Sequence, residues 1–224
     1  MGEGTMDFGP YIIVGECILL LALAILAGFI YRNRKLLVRQ GGYTKTLQPD
    51  EDLSIQELVD RARKENPSMP LNIMLGSGSY TMDEQLEFNT SVRLHGTSVE
   101  KTKIVSTGEH PAISIKDAKD CSLANIRIEG AVQCSNGEVT LRNCHIVAKE
   151  EGICIEALDG SAVTFSGAIS GQEGVAIRAK GGSKVILKPP YALSGDDFIV
   201  VDPQSSVNIE DKESDAKEAD AKEE

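Results

Sequence analysis

Short runs in which apolar and polar residues alternate, each closed by Gly, Asn, Asp or Ser, fill the second half of the chain. Ser161-Ala162-Val163-Thr164-Phe165 returns 22 residues later as Ser183-Lys184-Val185-Ile186-Leu187, and after another 22 as Ser205-Ser206-Val207-Asn208-Ile209. A second set lies between them: Gly152-Ile153-Cys154-Ile155, Gly174-Val175-Ala176-Ile177 and Asp197-Phe198-Ile199-Val200. Alternation puts every second side chain on one face of a strand. Two such strands in a repeat of about 22 residues predict a coiled β-solenoid, in which no coil buries its apolar face alone and stacked neighbours share one core.

Extended upstream, the pattern stacks Ile113 with Ile115, Val132 with Cys134, Ile153 with Ile155, Val175 with Ile177, and Phe198 with Val200 as one inward ladder. Cys121, Leu123, Ile126 and Ile128 match Val139, Leu141, Cys144 and Ile146 after 18 residues; Val163 with Phe165, Val185 with Leu187 and Val207 with Ile209 continue a second ladder. About six coils result. On this register Cys121, Cys134 and Cys144 point inward and Cys154 outward. Outward positions carry Arg127, Arg142 and Thr164 on one ladder, and Ser114, Gln133, Cys154, Ala176 and Ile199 on the other. Pro189-Pro190 interrupts the penultimate coil.

Upstream the pattern changes. Residues 1–10 are short and acidic, with Glu3 and Asp7. From Tyr11 to Tyr31 the chain is apolar on all sides with Glu16 as its one charge. At ~1.5 Å per residue such a helix is ~31 Å long, which spans the hydrocarbon core. Tyr11 and Tyr31 sit where interfacial aromatics belong, and Glu16 lies near enough to the outer interface to reach headgroups. The basic residues follow the apolar run, unlike a cleaved signal peptide. Arg32, Arg34, Lys35, Arg39 and Lys45 then predict a cytoplasmic C-terminal side by the positive-inside rule. Arg32, Arg34, Lys35 and Arg39 are the candidate contacts to acidic headgroups, about 1 kcal/mol each near the surface.

Residues 32–52 read as a basic juxtamembrane segment and linker, ending in the acidic Asp50-Glu51-Asp52. A helix follows, with Ser54 and Glu57 in capping-box spacing, an apolar stripe of Ile55, Leu58, Val59 and Ala62, and a stop at Asn66-Pro67. The solenoid domain is predicted over 53–209. The tail, 210–224, holds acids and lysines with no large apolar residue and has nothing to bury.

Three stretches carry a resemblance: the helix Ser54-Ile55-Gln56-Glu57-Leu58-Val59-Asp60-Arg61-Ala62, then Asn72-Ile73-Met74-Leu75-Gly76-Ser77-Gly78-Ser79-Tyr80, then Val92-Arg93-Leu94-His95-Gly96. Together they resemble the opening of right-handed parallel β-helix proteins of the pectin-lyase-like group, in which a short amphipathic helix plugs the first coil. The resemblance spans about residues 54–209. It implies an all-β, right-handed parallel β-helix with an N-terminal capping helix, and leaves activity open, because that group includes lyases, hydrolases, adhesins and inert scaffolds.

Composition narrows the function. A net charge of -11 and a pI of about 4.8 leave no basic face for nucleic acid. Trp is absent and aromatics are 4%, so an aromatic sugar-stacking platform is not expected. The five Cys, Cys17 included, lack CxxC spacing and read as free, mostly buried thiols in a reducing compartment. No cofactor or metal is expected.

The resemblance makes carbohydrate chemistry the first hypothesis to weigh. Asp196-Asp197 is similar to the Asp-Asp pair of the group's hydrolases, and Arg178-Ala179-Lys180 to its Arg-x-Lys. Their order along the chain is reversed, however, no Gly-His-Gly lies between them, and His95, His110 and His145 are scattered. Turns are short, which leaves little material for a catalytic cleft. The reading is therefore a membrane-anchored, non-catalytic β-helix scaffold or protein-interaction module, binding another protein or itself. The alternative is a carbohydrate-binding or carbohydrate-active β-helix facing outside and using Asp196, Asp197 and Arg178, with a glycan as partner.

Overall fold

The computed structural model describes residues 43–49, 53–65, 69–149, 152–171, 174–194 and 197–210. Chain contacts divide the protein into residues 1–42 and 43–224. The span predicted over 11–31, the headgroup residues Arg32, Arg34, Lys35 and Arg39, Cys17, Asp196 and the tail from 211 lie outside the described residues. Among the described residues no helix is long and apolar enough to cross a membrane.

β1 (Tyr43–Leu47) precedes α1 (Ile55–Glu65), the helix of the described residues. Six complete coils follow, three strand segments to a coil. They are β2 (Leu71–Leu75), β3 (Gly78–Met82) and β4 (Leu86–Phe88); then β5 (Val92–His95), β6 (Thr102–Ser106) and β7 (Ile113–Lys116); then β8 (Cys121–Ala124), β9 (Arg127–Glu129) and β10 (Val132–Ser135). In the next three coils the first two segments fuse into one bent strand: β11 (Glu138–Val147) with β12 (Ile155–Leu158), β13 (Ala162–Ser170) with β14 (Val175–Ala179), and β15 (Lys184–Ser194) with β16 (Asp197–Val201). β17 (Ser206–Ile209) begins a seventh coil. Every pairing is parallel, and the result is a right-handed parallel β-solenoid with three faces.

Stacking like on like makes the core. On the first face Ile73, Leu94, Leu123, Leu141, Phe165 and Leu187 stand in register and are fully buried. On the second, Ile104, Ile128, Ile146 and Ile169 do the same. Each residue fills the space above its neighbour one strand spacing away, so one column of side chains is dry along its length.

The corners let the chain turn without breaking these columns. Asp117, Asn136 and Asp159 take φ of 55°, 49° and 54° at one corner, and Gly181 follows at 67°. Asn and Asp tolerate this left-handed conformation better than other residues with a Cβ. Their side chains also stack: Asn136 Nδ2 donates to Asp117 Oδ1 at 2.6 Å. Asn143 Nδ2 donates to Asn125 Oδ1 at 2.8 Å at a second corner. The repeated Ser161 and Ser183 are buried, with hydroxyls 3.4 Å apart, and Ser183 N–H donates to Ser205 Oγ at 3.0 Å.

α1 closes the N-terminal end, as the resemblance implied, and starts where its capping-box pattern predicts. Glu57 N–H donates to Ser54 Oγ at 3.1 Å and Ser54 N–H to Glu57 Oε2 at 2.8 Å, the reciprocal capping box. Ile55, Leu58, Val59 and Ala62 are buried against the first coil. The free edge of β4 is satisfied by helix side chains. Gln56 Oε1 accepts from Glu87 N–H at 2.9 Å, and Arg63 Nη2 donates to the Glu87 carbonyl at 3.2 Å.

Several expectations change. Tyr43–Leu47, within the segment read as linker, is a strand paired in parallel with β2, and Leu47 is buried. On the third face, Ile155 rather than Ile153 stands opposite Val132, and Ile177 opposite Ile155, with Ala157 and Ala179 in the second column. Cys154, expected outward, is buried, as is Ala176. Alternation in Gly152–Leu158 runs on past the N-terminal end of the strand, so pattern alone fixes the face of Ile155 but leaves its register two residues ambiguous. In β16 the side expected for Val200 is reversed. Ile199 pairs with Ile177, and Val200 pairs with Arg178 on the outward row. Phe198-Ile199-Val200-Val201 is unbroken apolar sequence and carries no period to read. Pro189-Pro190 does not end β15. Lys188, Pro189 and Pro190 sit opposite the single Ser166 at a register shift, where ladder hydrogen bonds are not required of them.

Burial pushes the Cys134 and Cys154 thiols up to about 11 and Cys144 up to about 12, and raises Cys121 as well. Thiol titration of the native protein at about pH 8 should leave these four unreacted until unfolding. Leu141→Ala should cost about 2–5 kcal/mol in denaturant unfolding, whereas Thr140→Ala on the opposite side of the same strand should stay within about 0.5 kcal/mol.

Candidate functional site

The outward side of the third face carries one residue per coil: Glu87, Ser114, Gln133, Glu156, Arg178 and Val200 in register. Parallel stacking places these side chains about 4.8 Å apart, within hydrogen-bonding reach. Gln133 Nε2 donates to Glu156 Oε2 at 2.8 Å, and Arg178 Nη1 donates to Glu156 Oε1 at 3.3 Å. Glu156 thus has each oxygen engaged by a neighbouring coil, and its side chain is 17% exposed. The Ser114 hydroxyl, buried beside Gln133, has no hydrogen-bond partner among the described residues.

A cleft of about 270 Å³ opens over Gln133 and Glu156. Its walls are the turns before β7 and β12, which contribute Glu109, His110 and Pro111 on one side and Lys149 and Ile153 on the other. Both turns are tied down. His110 Nε2 contacts the Asp83 carbonyl at 2.7 Å, Thr107 Oγ1 donates to Asp83 Oδ1 at 2.6 Å, and the Lys149 ammonium donates to the Gly108 carbonyl across the cleft. Carboxylate, amide, imidazole and ammonium therefore meet in one recess, with Pro111 and Ile153 as its apolar surface.

Arg178 belongs to this face, but its ion pair is with Glu156. Asp197 stands opposite Val175, three positions before Val200, so its backbone is ~10 Å along the strand from the register of Arg178. The two are not neighbours on the sheet. His95, His110 and His145 fall on different faces or turns. Gln133 was legible as outward, and the charge of Glu156 could be read from the chain. Their union with Lys149 and His110 could not, because those residues come from turns 39 residues apart, brought together only by coiling.

A second polar row crosses the second face. Arg127 Nε donates to Glu129 Oε1 at 2.8 Å, and Arg127 Nη1 lies 3.3 Å from His145 Nδ1. Arg127 is a donor only, so Nδ1 accepts; Nε2–H then donates to Ser170 Oγ, 2.9 Å away. Ser170 Oγ accepts this hydrogen bond, so His145 is not placed to take its proton and activate it as a nucleophile. Burial first, and the Arg127 charge second, hold the His145 imidazole below its ordinary value. Burial and the Arg142 and Arg93 charges do the same to His95.

A histidine with a depressed native pKa binds fewer protons folded than unfolded just below about pH 6.5, so stability falls as pH drops through that value toward the native one. Denaturant titrations between about pH 7.5 and 5 should show this loss, and His145→Gln should make the slope shallower. An unchanged slope would remove His145 from the account.

No protein-family model matches the chain, and no curated protein matches it. Among solved structures, the catalytic domain of a GH87 alpha-1,3-glucanase in complex with tetrasaccharides is similar at 13% identity, with a TM-score of 0.45, over 74% of this chain. This chain spans 39% of that one's length. A similarity so low transfers neither a residue nor a reaction to the cleft described above.

Proposed function

We propose that the protein is a membrane-tethered, non-catalytic binding module whose β-helix holds a hydroxyl-rich ligand, an oligosaccharide, in the cleft over Gln133 and Glu156. The observation that supports this reading is the fixed row Gln133–Glu156–Arg178, three planar polar groups one coil apart and oriented by one another. Groups held in place before a ligand arrives lose little side-chain entropy on binding. A ligand lying across the coils meets one such group per coil. The recess offers both charge signs, from Glu109 and Glu156 and from Lys149, which suits a neutral, hydrogen-bonding molecule better than an ion. Glu156 already serves two neighbours, a role that favours positioning over proton transfer. With Trp absent from the sequence, affinity rests on hydrogen bonds and is expected in the range of roughly 10 μM to 1 mM.

The tether rests on the apolar 11–31 segment and on Arg32, Arg34, Lys35 and Arg39 beyond it, which favour a cytoplasmic solenoid. The four described thiols do not add to that argument. Buried thiols with raised pKa resist oxidation on either side of a membrane. Protease access to a C-terminal reporter in intact cells would fix the side, and with it whether soluble oligosaccharides or surface polymers are in reach.

Titration calorimetry of the full chain against a panel of neutral oligosaccharides tests the cleft. At least one should bind without turnover, and Glu156→Gln should weaken it by about tenfold with the fold intact. A panel that never binds, or binding indifferent to Glu156→Gln, would sink the cleft reading; released sugar product would sink the non-catalytic one.

A further inference from the structure

The two ends of the solenoid are unlike. At the N-terminal end α1 plugs the core, and its Gln56 and Arg63 occupy the edge of β4. At the other end, β16 pairs only with β14 and β17 only with β15 among the described residues. Large apolar side chains lie open there: Ile199 at 37% exposed, Val200 at 40%, Val201 at 39% and Ile209 at 52%. Ile199, Val201 and Ile209 are not surface residues by register. They continue the inward columns of Ile177, Ala179 and Leu187, and no further coil covers them among the described residues.

An open β-edge with an apolar column behind it needs strand backbone and apolar side chains to complete it. The fourteen residues after Glu210 have seven acids, three lysines and no apolar side chain larger than Ala, so they do not supply that column. The opposite end of another copy has open edges at β1 and β3, but α1 closes the core there, and no large apolar side chain described in either strand is exposed. A second C-terminal end offers both requirements at once. We infer that the C-terminal end is a docking surface for the same end of a second copy, joined about a two-fold axis through the edges of β16 and β17. Such an isologous contact uses up both open ends and closes as a dimer, where a head-to-tail contact would propagate as a fibre. One coil end is small beside the ~800 Å² per partner of a standard interface, so association in the micromolar range is expected. Each copy carries the seven acids of 211–224, and salt that screens their repulsion strengthens the dimer.

Sedimentation equilibrium of the full chain in density-matched detergent reads this directly. The wild type should be dimeric at ~50 μM and dissociate on dilution, with tighter association at ~0.5 M salt than at ~0.05 M. Val201→Lys with Ile209→Lys, both at exposed positions, should weaken association by at least tenfold (about 1.4 kcal/mol) while circular dichroism stays unchanged. A wild type that is monomeric throughout overturns the inference, including the case in which deleting 211–224 then produces a dimer, since the tail would be the cover. Filaments overturn it too, as does a dimer that survives the double substitution, because its contact would lie elsewhere, such as the apolar 11–31 segment.

Discussion

One coil of this chain has no inside. Its apolar residues acquire a dry environment only when the next coil lies one strand spacing above with the same residue type at the same place. The columns from Ile73 to Leu187 and from Ile104 to Ile169 satisfy that demand. Much else follows from it. Turns must return the chain to register, which explains the left-handed Asp and Asn residues stacked at the corners. Stacking also pairs some buried hydroxyls with one another, as it does Ser161 and Ser183.

The same constraint makes the ends the weak points. A middle coil is covered on both sides, whereas a terminal coil exposes its column and its edge to water. The N-terminal solution is a separate element, α1, whose apolar stripe replaces the missing coil and whose Gln56 and Arg63 stand in for strand backbone. No comparable element covers Ile199, Val201 and Ile209 among the described residues. The asymmetry distinguishes a surface finished within the chain from one that still presents core residues.

Outward residues obey the stack as strictly as inward ones, and there register becomes chemistry. Gln133, Glu156 and Arg178 occur 22 or 23 residues apart, yet they form one hydrogen-bonded row because each stands above the last. Arg127 stands above His145 by the same rule, and Ser170 reaches His145 diagonally from two positions beyond its in-register neighbour Ala168. Where turns rise beside the first row, the flat face becomes a recess with Lys149 and His110 in its walls.

The alternation of Val163 with Phe165 and Val185 with Leu187 and the Ser repeat specified a coiled β-solenoid, and the stripe of Ile55, Leu58, Val59 and Ala62 an amphipathic helix; parallel strands and the helix's capping place were what the resemblance implied. Periodicity is a local signal, and it sets which face a strand residue takes. It also identified Gln133 as outward. It could not choose between registers two residues apart, which misplaced Ile153, or assign sides within the unbroken apolar Phe198–Val201. Nor could it show that Tyr43–Leu47 joins the sheet or that Cys154 turns inward. Those outcomes depend on the coils stacked above and below. The meeting of Glu156 with Arg178, the cleft beneath Lys149 and His110, and the bare column at Ile209 are likewise properties of stacking. The chain by itself determined what each coil is made of; only the tertiary structure decided which residues of different coils touch, because that contact is made across the stack and not along the sequence.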